Sequence, residues 1–329
     1  MYDGRGEKMK SFCNSLKKTK IDARYLRRLG MLAVFCLFLF CSEALQKEVC
    51  ATLLYVAQVL VPAVFPFAVL AGLYAQQRPS VREARLAKAV ARILRLSPIA
   101  LSALPLGMLA GFPLGGQYTI DLYNKGYIKK EEADRLFAMV NTPSLAFVVA
   151  GVGQGMMHSL AAGILLYTAT VGSAYAIGVW EGRRVGIPPQ RPTRSENDPP
   201  REQAADRPLS VLIREATVTT LYVAGYVVFF GALRGVIGAL IPSTVACSLL
   251  YLLLEVTGAC ASASALPLST ASRMGFLGFA LGFGGVCVGM QSERYLRDGG
   301  LSVKRYYGRK LAAGLLCAIA SYLLSLLFL

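Results

Sequence analysis

Nine apolar runs, most of them close to the length of one bilayer crossing, constrain this chain more than any other feature. They are Gly30–Leu45, Ala51–Ala75, Pro98–Gly116, Phe137–Met157, Ser159–Trp180, Val218–Ile241, Ser243–Pro267, Ala271–Met290 and Leu311–Leu329. About 20 apolar residues cross a bilayer as a helix, and a helix satisfies its own backbone where no water can. Only 16% of the 329 residues are charged and 55% are hydrophobic, well away from the balance of a water-soluble domain. The expected fold is all-α: a polytopic transmembrane helical bundle of about nine apolar segments, with broken helices. The chain divides into a basic cytoplasmic N-terminal tail (1–29), a first transmembrane half (30–180), a Pro- and charge-rich linker (181–216) and a second transmembrane half (217–329).

A net charge of +16 raises the question of nucleic acid, and the placement of the charge answers it. Residues 1–29 carry nine Lys/Arg against three acids, residues 76–96 six against one, and residues 291–310 six against two, so 6 + 5 + 4 = 15 of the 16 charges sit in three segments. Each segment adjoins an apolar run, as cytoplasmic loops do under the positive-inside rule, so the expected partners are anionic lipid headgroups and a small solute, with no nucleic acid. If every run crosses once, residues 42–50, 117–136 and the linker fall outside and so does the C-terminus; re-entrant hairpins at Pro98–Gly116 and Ala271–Met290 are the alternative. The cysteines lie mostly in apolar stretches without C-x-x-C pairing, and His158 is the single histidine. Neither a metal site nor a catalytic triad is expected, no cofactor is implied, and an enzyme ranks last among the functional classes.

Four stretches break the apolar pattern. Gly111, Phe112, Pro113, Gly115, Gly116 and Gln117 end a run that already contains Pro98 and Pro105. Proline and glycine there free backbone groups at membrane depth, and N–H groups at a half-helix N-terminus attract anions; close packing of small residues is the competing reading. Asn141, Thr142, Pro143 and Ser144 interrupt a second run with neutral donors and acceptors. Glu255, Thr257 and Gly258 place a carboxylate inside a third, where it either lines a solute or proton pathway or pairs with Arg234 or Arg273. Gly284, Gly285 and Gln291 belong to a fourth, Gly-rich stretch. All sixteen residues are candidate substrate contacts.

A shift of 291 − 117 = 174 residues lays Gln117–Ala138 on Gln291–Ala312, and Gly111/Gly285, Gly126/Gly300 and Arg135/Arg309 fall into register. The charge partition puts the two copies on opposite sides, so an inverted-topology repeat of the kind transporters use is expected.

Taken in order, G-F-P-L-G-G-Q, D-L-Y-N-K-G-Y-I-K-K-E-E-A-D-R-L, N-T-P-S, L-E-V-T-G and G-F-G-G-V-C-V-G-M-Q resemble the YlbJ family of sporulation integral membrane proteins, also called SpoVV, over most of residues 50–329. That family belongs to the wider nucleoside-recognition, or gate-domain, group. The resemblance implies a multi-pass cell-membrane protein made in the mother cell of an endospore former, in the outer forespore membrane, that moves dipicolinic acid toward the developing spore. A nucleoside-type solute, or a non-transporting role in membrane assembly, are the alternatives.

Overall fold

The computed structural model describes residues 23–77, 85–184, 207–241 and 243–329; most of the basic tail and the interior of the linker lie outside them. Every regular element among the described residues is helical: α1 (Ala23–Phe40), α2 (Ser42–Tyr55), α3 (Val61–Gln76), α4 (Arg85–Leu94), α5 (Ala103–Leu109), α6 (Leu114–Asn124), α7 (Lys130–Val140), α8 (Leu160–Arg184), α9 (Leu209–Leu240), α10 (Thr244–Leu254), α11 (Val256–Ser264), α12 (Thr270–Phe283), α13 (Gly285–Asp298) and α14 (Val303–Phe328). Short π-helical stretches, Val56–Leu60 and Phe147–Met156, join α2 to α3 and continue the path of α7.

The side chains are distributed for a lipid solvent. Arg135, Arg234, Glu255, Arg309 and Lys310 are buried, whereas Leu249, Leu253, Leu315, Ile319 and Leu323 are exposed. Ion pairs inside and leucines outside reverse the soluble pattern and suit a bundle whose surroundings are as apolar as leucine. The chain is therefore a helical membrane bundle.

Nine simple crossings are not what the bundle shows. Among the described residues five helical spans are long and apolar enough to cross, Ser42–Gln76, Leu160–Arg184, Leu209–Leu240, Thr270–Asp298 and Val303–Phe328, or six if a bent pair counts as one. That pair, Ala87–Leu94 with Ile99–Leu109, is bent by 97°. Two of the nine apolar runs are instead hairpins that enter and return. In the first, α5 and α6 fold back on each other, with the Tyr118 hydroxyl donating to Ser102 Oγ at 3.3 Å beside the hairpin's base. In the second, α10 and α11 do the same, with Ser248 and Ser262 hydroxyls 2.5 Å apart. Proline, glycine and small residues keep these limbs short: Pro113 cannot donate a helical bond, and Gly111 reverses the chain at φ +71°.

One end of the bundle gathers the charge. There Arg309 holds Asp134 at 3.0 Å and Glu181 at 2.6 Å, and Asp134 also accepts the Ser302 N–H. Arg135 donates to the Arg95 carbonyl, the Arg207 N–H donates to Gln76 Oε1, and Lys125 donates to the Ala75 carbonyl. Residues 76, 95, 125, 134, 181, 207 and 302 thus share one end. This corrects the loop partition: segment 117–136 and both described flanks of the linker lie with basic segments 76–96 and 291–310, not opposite them. α8, with 25 residues, and α9, with 32, run about 38 and 48 Å from that end to the other. At the far end Arg234 meets Glu48, and Gly235 lies against Ala44 and Leu45.

The 174-residue register is real but local. Tyr127 N–H donates to Leu122 O and Gly126 N–H to Tyr123 O, and Leu301 and Gly300 repeat both bonds to Leu296 and Arg297. Gly126 and Gly300 both take positive φ, so the matched residues are two Schellman caps. Both caps lie at the charged end, which removes the inverted relation from this pairing. An inverted relation exists in another register. The series α3, hairpin α5–α6, α7 with its π-helical continuation, α8 recurs as α9, hairpin α10–α11, α12 with α13, α14. In each series the last helix packs on the first limb of the broken one through glycine: Gly178 faces Met139, and Gly278 and Gly282 face Ser321, Cys317 and Gly314. Because α3 ends at the charged end and α9 begins there, the two series run in opposite senses. The first hairpin enters from the charged end and the second from the other.

Candidate functional site

The two hairpin tips converge on one cavity of about 60 Å³. Ala110 and Phe112 come from the first tip, and Glu255, Val256 and Thr257 from the second. Ser144 comes from the break after α7, and Cys287, Val288 and Gln291 from α13 just past the break after α12. The remaining wall is apolar apart from the Tyr55 hydroxyl: Tyr55, Val59, Leu60, Ala63 and Val64 from the end of α2 to the start of α3, Phe147, and Val223 and Val227 of α9. Five of the sixteen candidate residues therefore meet there: Phe112, Ser144, Glu255, Thr257 and Gln291.

Each tip is fastened to a break by a glycine with positive φ. A Cβ on Gly111, at φ +71°, would stand 2.4 Å from the Ser144 backbone nitrogen, and Phe112 N–H donates to the Thr142 carbonyl at 2.8 Å. In the second series the glycine sits on the break: a Cβ on Gly285, at φ +75°, would stand 2.7 Å from the Leu254 carbonyl oxygen. Pro143 supplies the other half of the first contact, since the helix cannot continue through it. Gly284, left-handed at φ +81°, ends α12.

Glu255 lies in an ion pair, the structural alternative raised for it. Arg234 Nη1 is 2.8 Å from Glu255 Oε2, Arg234 Nη2 is 2.9 Å from Glu48 Oε1, and Thr52 accepts a further Arg234 bond. The same carboxylate caps α11, accepting the Thr257 and Gly258 N–H groups. Gly258 has no side chain because the Arg234 guanidinium occupies that space. This helix N-terminus is satisfied by its own carboxylate. Arg273 instead donates to the Ser264 carbonyl.

The other candidates lie outside the cavity. Gly115 touches Val140 and Gly107, and Gly116 touches the Phe137 ring, which is the close-packing reading of that stretch. Thr142 Oγ1 reaches the Gly107 carbonyl at 3.4 Å. Gln117 lines a different cavity. Asn141 is fully buried, its side-chain amide nitrogen donating to Ser292 Oγ at 2.8 Å and Tyr306 OH at 2.7 Å while its backbone carbonyl accepts from Lys310 Nζ at 3.0 Å and its Oδ1 has no partner.

Lys310 and Arg309 escaped the sequence reading, which counted them as loop charges. Both are buried, and the signal was their position at the head of an apolar run whose helix starts seven residues earlier, at Val303. Tyr55 and Cys287, two more cavity residues, carried no signal beyond lying in apolar sequence. Gln291 is the cavity residue with an unpaired polar atom. It is 1% exposed, its amide nitrogen donates to Cys287 Sγ at 3.2 Å, and its Oε1 has no hydrogen-bond partner. Buried amide oxygens are rarely left so.

Compared with protein-family models, curated proteins and solved structures, the chain matches none.

Proposed function

We propose that the chain moves a small polar or anionic solute across a membrane, with dipicolinate the first candidate and nucleosides the second. The observation that carries this reading is a mid-bundle cavity closed by two hairpins from opposite ends, with Gln291, whose buried amide oxygen has no hydrogen-bond partner, in its wall. Broken helices and irregular backbone at membrane depth are tolerated where they serve a cavity, and opposed series of this kind build transporter sites. At about 60 Å³ the cavity holds a few waters and no solute of that size, so a solute enters only when a tip parts from its break.

Dipicolinate rests on the family resemblance, which also carries sporulation and the outer forespore membrane. A specific observation favours the nucleoside-type reading: among the described residues no Lys or Arg lines the cavity, and its one carboxylate is already paired with Arg234. An uncharged solute with hydroxyl donors suits Gln291, Ser144 and Thr257 better than a dianion does. Uptake of labelled dipicolinate and nucleosides into proteoliposomes tests both. We expect one of them to accumulate with wild-type protein and to fall at least tenfold with Gln291→Ala. Correctly inserted protein that moves neither supports the assembly role instead.

A further inference from the structure

A second cavity, about 170 Å³, lies on the same helix pair as the first. Its walls include Ala68, Ala71 and Ala75 of α3, Gln117 and Asp121 of α6, and the head of α9 at Glu215 and Thr219, with Arg207 paired to Glu215 at 2.8 Å. The first cavity takes the other stretch of the same two helices, Ala63 and Val64 of α3 and Val223 and Val227 of α9. Since α3 and α9 run side by side in opposite senses, the two cavities are consecutive levels of one face, the second toward the charged end. The chain between them is the tip of the first hairpin: Ala110 and Phe112 wall one cavity and Leu114 the other.

Thr220 stands at the level of this partition. It follows Thr219 of the second cavity and lies three residues, about one helical turn, before Val223 of the first. The residue is 4% exposed and its hydroxyl has no hydrogen-bond partner, although a helical threonine ordinarily bonds the carbonyl one turn back. A dry, unpaired hydroxyl is unfavourable; a hydroxyl that meets water or solute whenever the partition opens is not.

We propose that the two cavities are successive stations of one water-lined route along the α3–α9 face, closed here by the Ala110–Leu114 tip at the level of Thr220 on α9, and that the second station holds a hydrogen-bonding solute at Gln117 and Asp121. The proposal rests on the transporter reading, but its test needs no identified solute. The full chain, reconstituted in proteoliposomes, carries Thr220→Cys, lipid-facing Leu221→Cys or buried Val236→Cys, and is treated with a membrane-impermeant charged methanethiosulfonate. Modification at each position is read by mass spectrometry of the peptide, which separates it from native cysteines. The route predicts that Thr220→Cys reacts at least tenfold faster than both controls, whether or not dipicolinate or a nucleoside is transported. Reaction no faster than at Val236→Cys overturns it. Thr220→Val, which keeps the side-chain shape and so avoids a folding defect, gives a second reading. An unchanged or lower Tm is expected if water completes the hydroxyl's bonding, and a raised Tm marks a permanently dry hydroxyl and overturns the proposal.

Discussion

Replacing Arg234 with Met should lower the stability of the bundle by about 3–5 kcal/mol, the range for stripping one partner from a buried pair. Arg234 and Glu255 side chains are 7% and 1% exposed, so the variant leaves the buried Glu255 carboxyl without its guanidinium partner. It would still cap α11, which limits the loss but cannot replace the cation. The double variant Arg234→Met/Glu255→Gln should recover most of the stability, because a neutral amide needs no counter-charge. Tm in detergent for the two single variants and the double variant measures the coupling. Additive losses would show that the pair does not act as a unit. The same cycle bears on transport: if Glu255 serves only the ion pair and cap, the stable double variant keeps its uptake.

Gly111→Ala and Gly285→Ala should each cost about 3 kcal/mol and abolish uptake even where folded protein is recovered. Left-handed backbone is unfavourable for alanine by about 1–3 kcal/mol. The added methyl group would also meet backbone, at 2.4 Å from Ser144 N and 2.7 Å from Leu254 O, which no rotamer change can relieve. Gly126→Ala carries the same conformational penalty with nothing within 4 Å, so it isolates the steric part. Equal Tm losses at all three positions would mean that the tip-to-break contacts are not tight. Uptake should separate them further, since Gly126 caps a surface turn far from either tip.

How much of this was legible in sequence follows from what each signal encodes. Apolar run length reports that a segment avoids water, and membrane residence followed directly from it. It does not report direction, because a hairpin that enters and returns is as apolar as a helix that crosses; Ser243–Pro267 was therefore read as a span, and the re-entrant alternative was attached to Pro98–Gly116 and to Ala271–Met290, the second of which lies in the long span Thr270–Asp298. The loop partition inherited that error, since each hairpin mistaken for a crossing reverses the side of everything after it. The breaks themselves were visible as Gly111, Pro113, Pro143 and Gly284, residues that end helices for backbone reasons independent of tertiary context, and Glu255 was visible as a carboxylate in an apolar run. Their pairing was not. That Gly111 meets Ser144, and Gly285 meets Leu254, depends on packing between segments tens of residues apart. The 174-residue match drew attention to identical Schellman caps, whose glycine requirement repeats wherever a helix ends that way, while the repeat in element order leaves no obvious identities. Lys310 was missed because a lysine near a loop is ordinarily a loop lysine; only the helix phase of α14 turns it inward to Asn141.

The central claim is that two hairpins enter from opposite ends and meet at one cavity, and cysteine labelling at the hairpin feet tests it most directly. Arg92→Cys and Asn124→Cys flank the first hairpin, and Thr244→Cys and Leu268→Cys flank the second; all four positions are exposed. With an impermeant thiol reagent added to sealed, uniformly oriented proteoliposomes, Arg92→Cys and Asn124→Cys should react from one side, and Thr244→Cys and Leu268→Cys from the other. Feet of one hairpin labelling from opposite sides would make that segment a simple crossing and contradict the account.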